Sequence, residues 1–133
     1  MKILQKQEQT RLADTFLKLA QLVGEFRIKH YHSLSPRMRI RIRHYHKALI
    51  DYADSFYAAD TRLIIANSKI SLDQLAQSTA HLKQHILKVQ KTQKIINVIG
   101  AATRLGASII SKQPFSIIAS LNDFIKKINT LKT

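Results

Sequence analysis

The chain has no cysteine and no tryptophan, and only three glycines and two prolines in 133 residues. Without Cys there is no disulfide framework, thiolate zinc site or cysteine nucleophile, although that absence does not decide a compartment. So few breakers over this length require long regular elements. Carboxylates are also scarce: two Glu and six Asp are spread thinly along the chain. There is no Gly-rich phosphate loop, and Gly106-Ala107-Ser108 lacks the flanking pattern of a nucleophile elbow. The convergent groups that catalysis needs are missing, so a non-enzyme without a cofactor is expected. The first residues carry no apolar run of seven or more, which argues against a secretory leader. The expected location is cytoplasmic, with the periphery of a membrane as the alternative.

Positive charge is what the chain has in excess: 22 Lys and Arg stand against eight acids, a formal +14. Such an excess repels itself and suits a polyanion, whether nucleic acid, an anionic membrane face or an acidic protein. Apolar residues make up 45 % of the sequence, enough for a core. At this length the chain is expected to be one all-α domain spanning residues 1–133.

Hydrophobic spacing gives the helices. Over 4–32, Leu12, Phe16, Leu19, Val23 and Phe26 alternate by four and three, a seam that continues to His30. Ser33-Leu34-Ser35-Pro36 is the clearest turn, with Ser35 as N-cap and Pro36 in the first helical position of a second helix over 36–67. The second seam runs Met38, Ile42, Tyr45, Leu49, Tyr52, Phe56, Ala59, Leu63, Ala66. Ser71 and Gln74 have capping-box spacing and open a third helix over 71–94, with Leu72, Leu75, Leu82, Ile86 and Val89 on one face. Nothing obligatory stops that helix before Pro114, so a bend or break is expected at the polar run 91–94, at Gly100 or at Gly106. From Ile95 the composition turns apolar and small, and residues 95–131 read as an apolar helical hairpin. The expected architecture is an antiparallel up-down bundle of about four long amphipathic helices.

The sharpest local feature is the stretch 27–47, which holds seven Lys or Arg and four His with no acid. Arg-Ile-Lys-His-Tyr-His at 27–32 returns as Arg-Ile-Arg-His-Tyr-His at 41–46. At roughly 100° per residue, Arg37 and Arg41 flank the second seam on one side and Arg39 and Arg43 on the other. All four lie in the first two turns, where the helix dipole disfavours each cation by roughly 0.3–1 kcal/mol. A bound anion would relieve that conflict. Arg37, Arg39, Arg41, Arg43 and Lys47, supported by Arg27 and Lys29, are therefore the candidate phosphate contacts. A solvated face whose aliphatic stems cover the seam is the plain alternative.

The duplicated His-Tyr-His suggests metal, but His30 and His32 diverge on a helix, as do His44 and His46. In a hairpin about 33–35, His44 is expected opposite Phe26. A pH-dependent addition to the basic patch fits these four better. His81 and His85 have chelating spacing without co-ligands and read as surface residues. Tyr45 and Tyr52 fall on the seam, which leaves Tyr31 as the one tyrosine expected to be exposed.

The run 95–111 is short for a membrane span and contains Arg104. Core packing, an oligomer interface or shallow insertion could each use it, with Ile99, Gly100, Gly106, Ile110, Phe115 and Ile118 as contact candidates. No motif identifies a family. The expected partner is nucleic acid, held through its backbone with low sequence specificity. An anionic membrane entered by the apolar hairpin, or an acidic protein partner or self-assembly, are the alternatives.

Overall fold

A computed structural model describes residues 2–58, 71–86, 88 and 92–132, with side chains among these from residue 10 to residue 131. Among the described residues five α-helices follow one another: α1 (Lys2–Lys29), α2 (Pro36–Ala58), α3 (Leu72–His85), α4 (Thr92–Ile110) and α5 (Pro114–Asn129). Single 3-10 turns occur at Tyr31–Ser33 and Thr130–Lys132. No strand occurs among the described residues. The expected continuation of α2 to residue 67, the connection at 67–70 and Val89 lie outside them.

Local chemistry sets the helix ends. Ser35 Oγ accepts from the Met38 amide at 3.2 Å, and Ser71 Oγ accepts from the Gln74 amide at 3.1 Å, so both expected N-caps are formed. Pro114 opens α5 with its missing N–H at a position that needs none. The stop of α4 has no glycine. Lys112 takes the left-handed conformation instead, at φ 57°. Its amide donates to the Ile109 carbonyl at 3.1 Å and the Gln113 amide to the Ser108 carbonyl at 3.5 Å, the paired bonds of a Schellman cap.

The third helix expected over 71–94 is shorter than that. It ends at His85 and a new helix starts at Thr92, so the hairpin begins ahead of Ile95. The glycines proposed as break points lie inside α4, buried against α2. A Cβ on Gly106 would stand 2.3 Å from Tyr52 Cδ2 and 3.0 Å from Phe16 Cε1, and one on Gly100 would stand 3.3 Å from Tyr45 Oη. These glycines make room for tyrosine rings, and tertiary packing outweighs their roughly 1 kcal/mol helix penalty.

Cross-helix contacts give the directions. Tyr57 hydroxyl donates to the Asp14 carboxylate and Arg27 meets His46, so α2 returns antiparallel to α1. Arg11 pairs with Asp73, and a cleft joins Lys18 and Glu25 to Ala76 and Lys83, so α3 runs parallel to α1. Gly100 lies at Tyr45 and Gly106 at Tyr52, so α4 runs parallel to α2. Arg104 bonds Asp123 and Ser108 bonds Ser120, which makes α5 antiparallel to α4. The main packing partners form the circuit α1–α2–α4–α5–α3 and back to α1.

The core fills the space inside this circuit. The first seam is fully inside: Leu12, Phe16, Leu19 and Phe26 are at 0 % exposure and Val23 at 1 %. From α2 come Ile42, Leu49, Ala53 and Phe56, with Met38, Tyr45 and Tyr52 packed at the margin. Phe16 meets Phe56 edge to face at 5.1 Å, a geometry worth about 0.5–1.5 kcal/mol beyond the area buried. The apolar run of α4 supplies Ile95, Ile96, Val98, Ile99, Ala101, Ala102, Leu105 and Ile109, and α5 supplies Ile117, Leu121, Phe124 and Ile128. Among the described residues, no helix is long and apolar enough to cross a membrane.

Candidate functional site

The basic corner is the turn between α1 and α2 with the helix ends on either side of it. Its shape comes from a few local bonds. Ser33 amide and hydroxyl both donate to the His30 carbonyl, closing the 3-10 turn. Leu34 is buried and anchors the turn to the core. Ser35 then caps α2, so the helix end offers an incoming anion fewer free amides than the sequence implies: Pro36 has none and that of Met38 is taken.

The arginines divide into two groups. Arg39 Nε donates to the Tyr31 carbonyl at 2.7 Å, and its guanidinium carbon lies 4.1 Å from the Tyr31 ring centroid. Arg39 is half-buried and braces the corner from inside, by a charged hydrogen bond and a cation–π contact. Arg27, also half-buried, donates to His46 Nδ1 at 2.9 Å. Arg37, Arg41, Arg43 and Lys47 are exposed, and their side chains make no ion pair or hydrogen bond with another described residue. Lys29 is exposed at the end of α1. The dipole conflict read from the sequence is thus relieved internally at Arg39 and left standing at Arg37, Arg41 and Arg43.

The four corner histidines do not converge. His30 stacks on Phe26, with ring centroids 4.8 Å apart, and its Nε2 is buried without a hydrogen-bond partner among the described residues. His32 stands edge-on to Tyr31. His44 is exposed rather than opposite Phe26, because Ile42 and Tyr45 take the inward positions. His46 is the histidine that meets α1, within 3.2 Å of the position a Gly24 Cβ would occupy. Because guanidinium only donates, His46 Nδ1 must accept and its proton sits on Nε2. Burial and the Arg27 charge hold His46 below the usual histidine range, and burial with Lys29 does the same for His30. These two histidines therefore gain charge at lower pH than free imidazole does. No group of three His, Cys, Asp or Glu that could hold a metal occurs among the described residues.

A shallow groove of ≈ 500 Å³ runs beside this corner, lined by Gly24, Arg27, Ile28, Tyr31, His32 and His46. Ile28 is 82 % exposed and Tyr31 51 %. Tyr31 is not alone in facing solvent, since Tyr57 is exposed too, its hydroxyl held by Asp14. A second cleft of ≈ 340 Å³ lies between α1 and α3. Thr15 and Thr79 line it, and each donates its hydroxyl to a carbonyl of its own helix, at Arg11 and Leu75.

The residues proposed for oligomer or membrane contact also divide. Ile99, Gly100 and Gly106 are core residues packed beneath α2 and offer no contact surface. Small side chains there accommodate neighbours within the chain, not between chains. Ile110, Phe115 and Ile118 are exposed around the α4–α5 turn, Phe115 at 89 %. This turn is at the end of the bundle remote from the basic corner, because α4 runs away from it past Tyr45 and then Tyr52.

Fold and site define an all-helical, basic protein whose concentrated feature is an arginine-rich helix corner. Comparison with protein-family models, curated proteins and solved structures finds no match.

Proposed function

We propose that this protein is a non-catalytic polyanion-binding bundle that holds the RNA or DNA backbone with low sequence specificity. The observation that carries this reading is the set Arg37, Arg41, Arg43 and Lys47: four exposed cations whose side chains have no described partner, the three arginines near a helix end that disfavours them. Arg39 and Arg27 act differently, by fixing the shape on which the four are displayed. Among the described residues no side-chain arrangement suited to reading base edges accompanies them, which favours phosphate contacts and low specificity.

Four phosphate contacts give a log–log salt slope of roughly −3.6 on duplex DNA. Fluorescence anisotropy of labelled DNA or RNA across a salt series tests this. Arg37→Ala/Arg41→Ala/Arg43→Ala should flatten the slope by about 2–3. Binding that ignores salt, or is missing at low salt, would sink the reading.

Membrane entry by the C-terminal hairpin is weakened by position. The apolar face of the C-terminal hairpin lies in the core, which leaves Ile110, Phe115 and Ile118 to enter a bilayer. Those residues and the basic corner lie at opposite ends of a bundle about one 19-residue helix long, roughly 28 Å. One bilayer surface cannot engage both. Exposure of Phe115 instead favours a contact with a protein partner or a second copy. Sedimentation of the parent beside Phe115→Ser tests that contact, and identical monomeric behaviour of the two would refute self-association.

A further inference from the structure

Charge in this molecule is segregated by the fold. The stretches 27–47, 83–94 and 124–132 hold fourteen of the 22 Lys and Arg and none of the eight Asp and Glu. The remainder of the chain carries eight of each sign, so the entire formal +14 belongs to these three stretches. They are far apart in sequence, yet the helix directions bring their described parts to one end of the bundle. The α1–α2 corner, the end of α3 with the start of α4, and the end of α5 all meet there. The pairing of Lys94 Nζ with the Thr130 carbonyl at 3.4 Å ties two of these stretches directly. Glu25 and Asp123 stand one step further in, and Asp123 is already held by Arg104 and Lys127. Asp14, Asp51, Asp54 and Asp73 lie toward the other end.

Building on the polyanion-binding reading, we infer that this whole end is the contact face and that it takes a nucleic-acid duplex across it. Arg37, Arg41, Arg43 and Lys47 meet one backbone strand, and Lys83, Lys88 and Lys126 meet the other. The side chains of the second set are exposed and have no ion-pair or hydrogen-bond partner among the described residues. In the packing circuit α2 is not a neighbour of α3 or α5, so the two sets occupy opposite rims. With helix axes 8–10 Å apart, such rims are separated by about 15 Å. That spacing is comparable with the roughly 12 Å width of a B-form major groove, across which two phosphate rows face each other. A single strand would reach only one rim at a time.

The test uses the full chain, a 20-base-pair duplex, a single strand of equal length and vesicles containing phosphatidylserine, across one salt series. Lys83→Gln/Lys88→Gln/Lys126→Gln should flatten the duplex salt slope by about 2–3. Between 50 and 200 mM salt the parent then loses about 40-fold more affinity than this variant. On the single strand the slope should change by less than about one. Thermal melts confirm that the variant is folded. If the lysine variant keeps the parent slope on duplex while Arg37→Ala/Arg41→Ala/Arg43→Ala loses binding, the two-rim face is wrong and the corner reading stands. Equal flattening on both nucleic acids also overturns the two-strand geometry. If the arginine variant binds like the parent, the corner reading fails as well. Capture by the vesicles without binding to duplex at the same salt overturns the choice of partner.

Discussion

Gly106→Ala is the most discriminating test of how α4 packs on α2. In an exposed helix, replacing Gly by Ala stabilises by about 1 kcal/mol. Here the new methyl would stand 2.3 Å from Tyr52 Cδ2, 2.8 Å from Tyr52 Cε2 and 3.0 Å from Phe16 Cε1. Ordinary contact begins near 3.4 Å, so the Tyr52 ring must move by about 1 Å or the helices must part. Tyr52 has little room to do so, being packed against the core, and Phe16 behind it is fully buried. Overpacking of this kind costs about 1–3 kcal/mol, and the clash is severe enough to place it at the upper end. After subtracting the propensity gain, the expected loss is about 1–2 kcal/mol. For a chain of this size that lowers the melting temperature by about 4–8 °C. Gly100→Ala is the internal control, because its nearest neighbour at 3.3 Å is the Tyr45 hydroxyl, the far end of a side chain that can swing. It should be neutral or slightly stabilising. Urea and thermal unfolding by circular dichroism read both variants, and Tyr52→Leu should rescue Gly106→Ala in a double-mutant cycle. A Gly106→Ala protein as stable as the parent, with no coupling to Tyr52, would refute the packing.

Two further substitutions test local features. Lys112→Gly should stabilise by about 0.5–1 kcal/mol, because the left-handed cap of α4 strains any residue with a Cβ; a loss in the same melts would contradict the cap. His46, facing Arg27 from α1 beside His32, has its folded pKa depressed, so its neutral form contributes stability above the ordinary histidine range near 6.5. That contribution disappears as pH falls from about 6.5 through the lower folded value, and His46→Gln should make the melting temperature less pH-dependent over this window. An unchanged pH profile would remove His46 from the account.

Much of the framework was legible because it is local. The four-three spacing from Leu12 to Phe26 and from Met38 to Phe56 names the inward faces, and Ser35, Ser71 and Pro114 mark helix starts by chemistry that acts within four residues. What the sequence hid depends on neighbours distant in the chain. Gly100 and Gly106 look like breakers until Tyr45 and Tyr52 are placed over them. Arg39 and Arg43 look equivalent until Tyr31 claims Arg39 and leaves Arg43 in solvent. The stop after Ile110 is signalled only by Pro114 beyond it, since a lysine adopts the conformation usually left to glycine. The gathering of lysines from α3 and α5 beside the arginine corner is a property of helix direction, which composition cannot express.

The placement of α4 and α5 also sets an order of events during synthesis. Phe16, Tyr52 and Gly106 form one contact, so the inner faces of α1 and α2 stay incompletely covered until residues beyond 106 have left the ribosome. A nascent α1–α2 hairpin can form early from its own seam, but it presents Phe16, Phe26 and Leu49 to whatever is near. Closure waits for the final third of the chain, in which Ile117, Leu121, Phe124 and Ile128 complete the interior. A ribosome stalled before that point holds a sticky, strongly cationic amphipath instead of a smaller version of the protein.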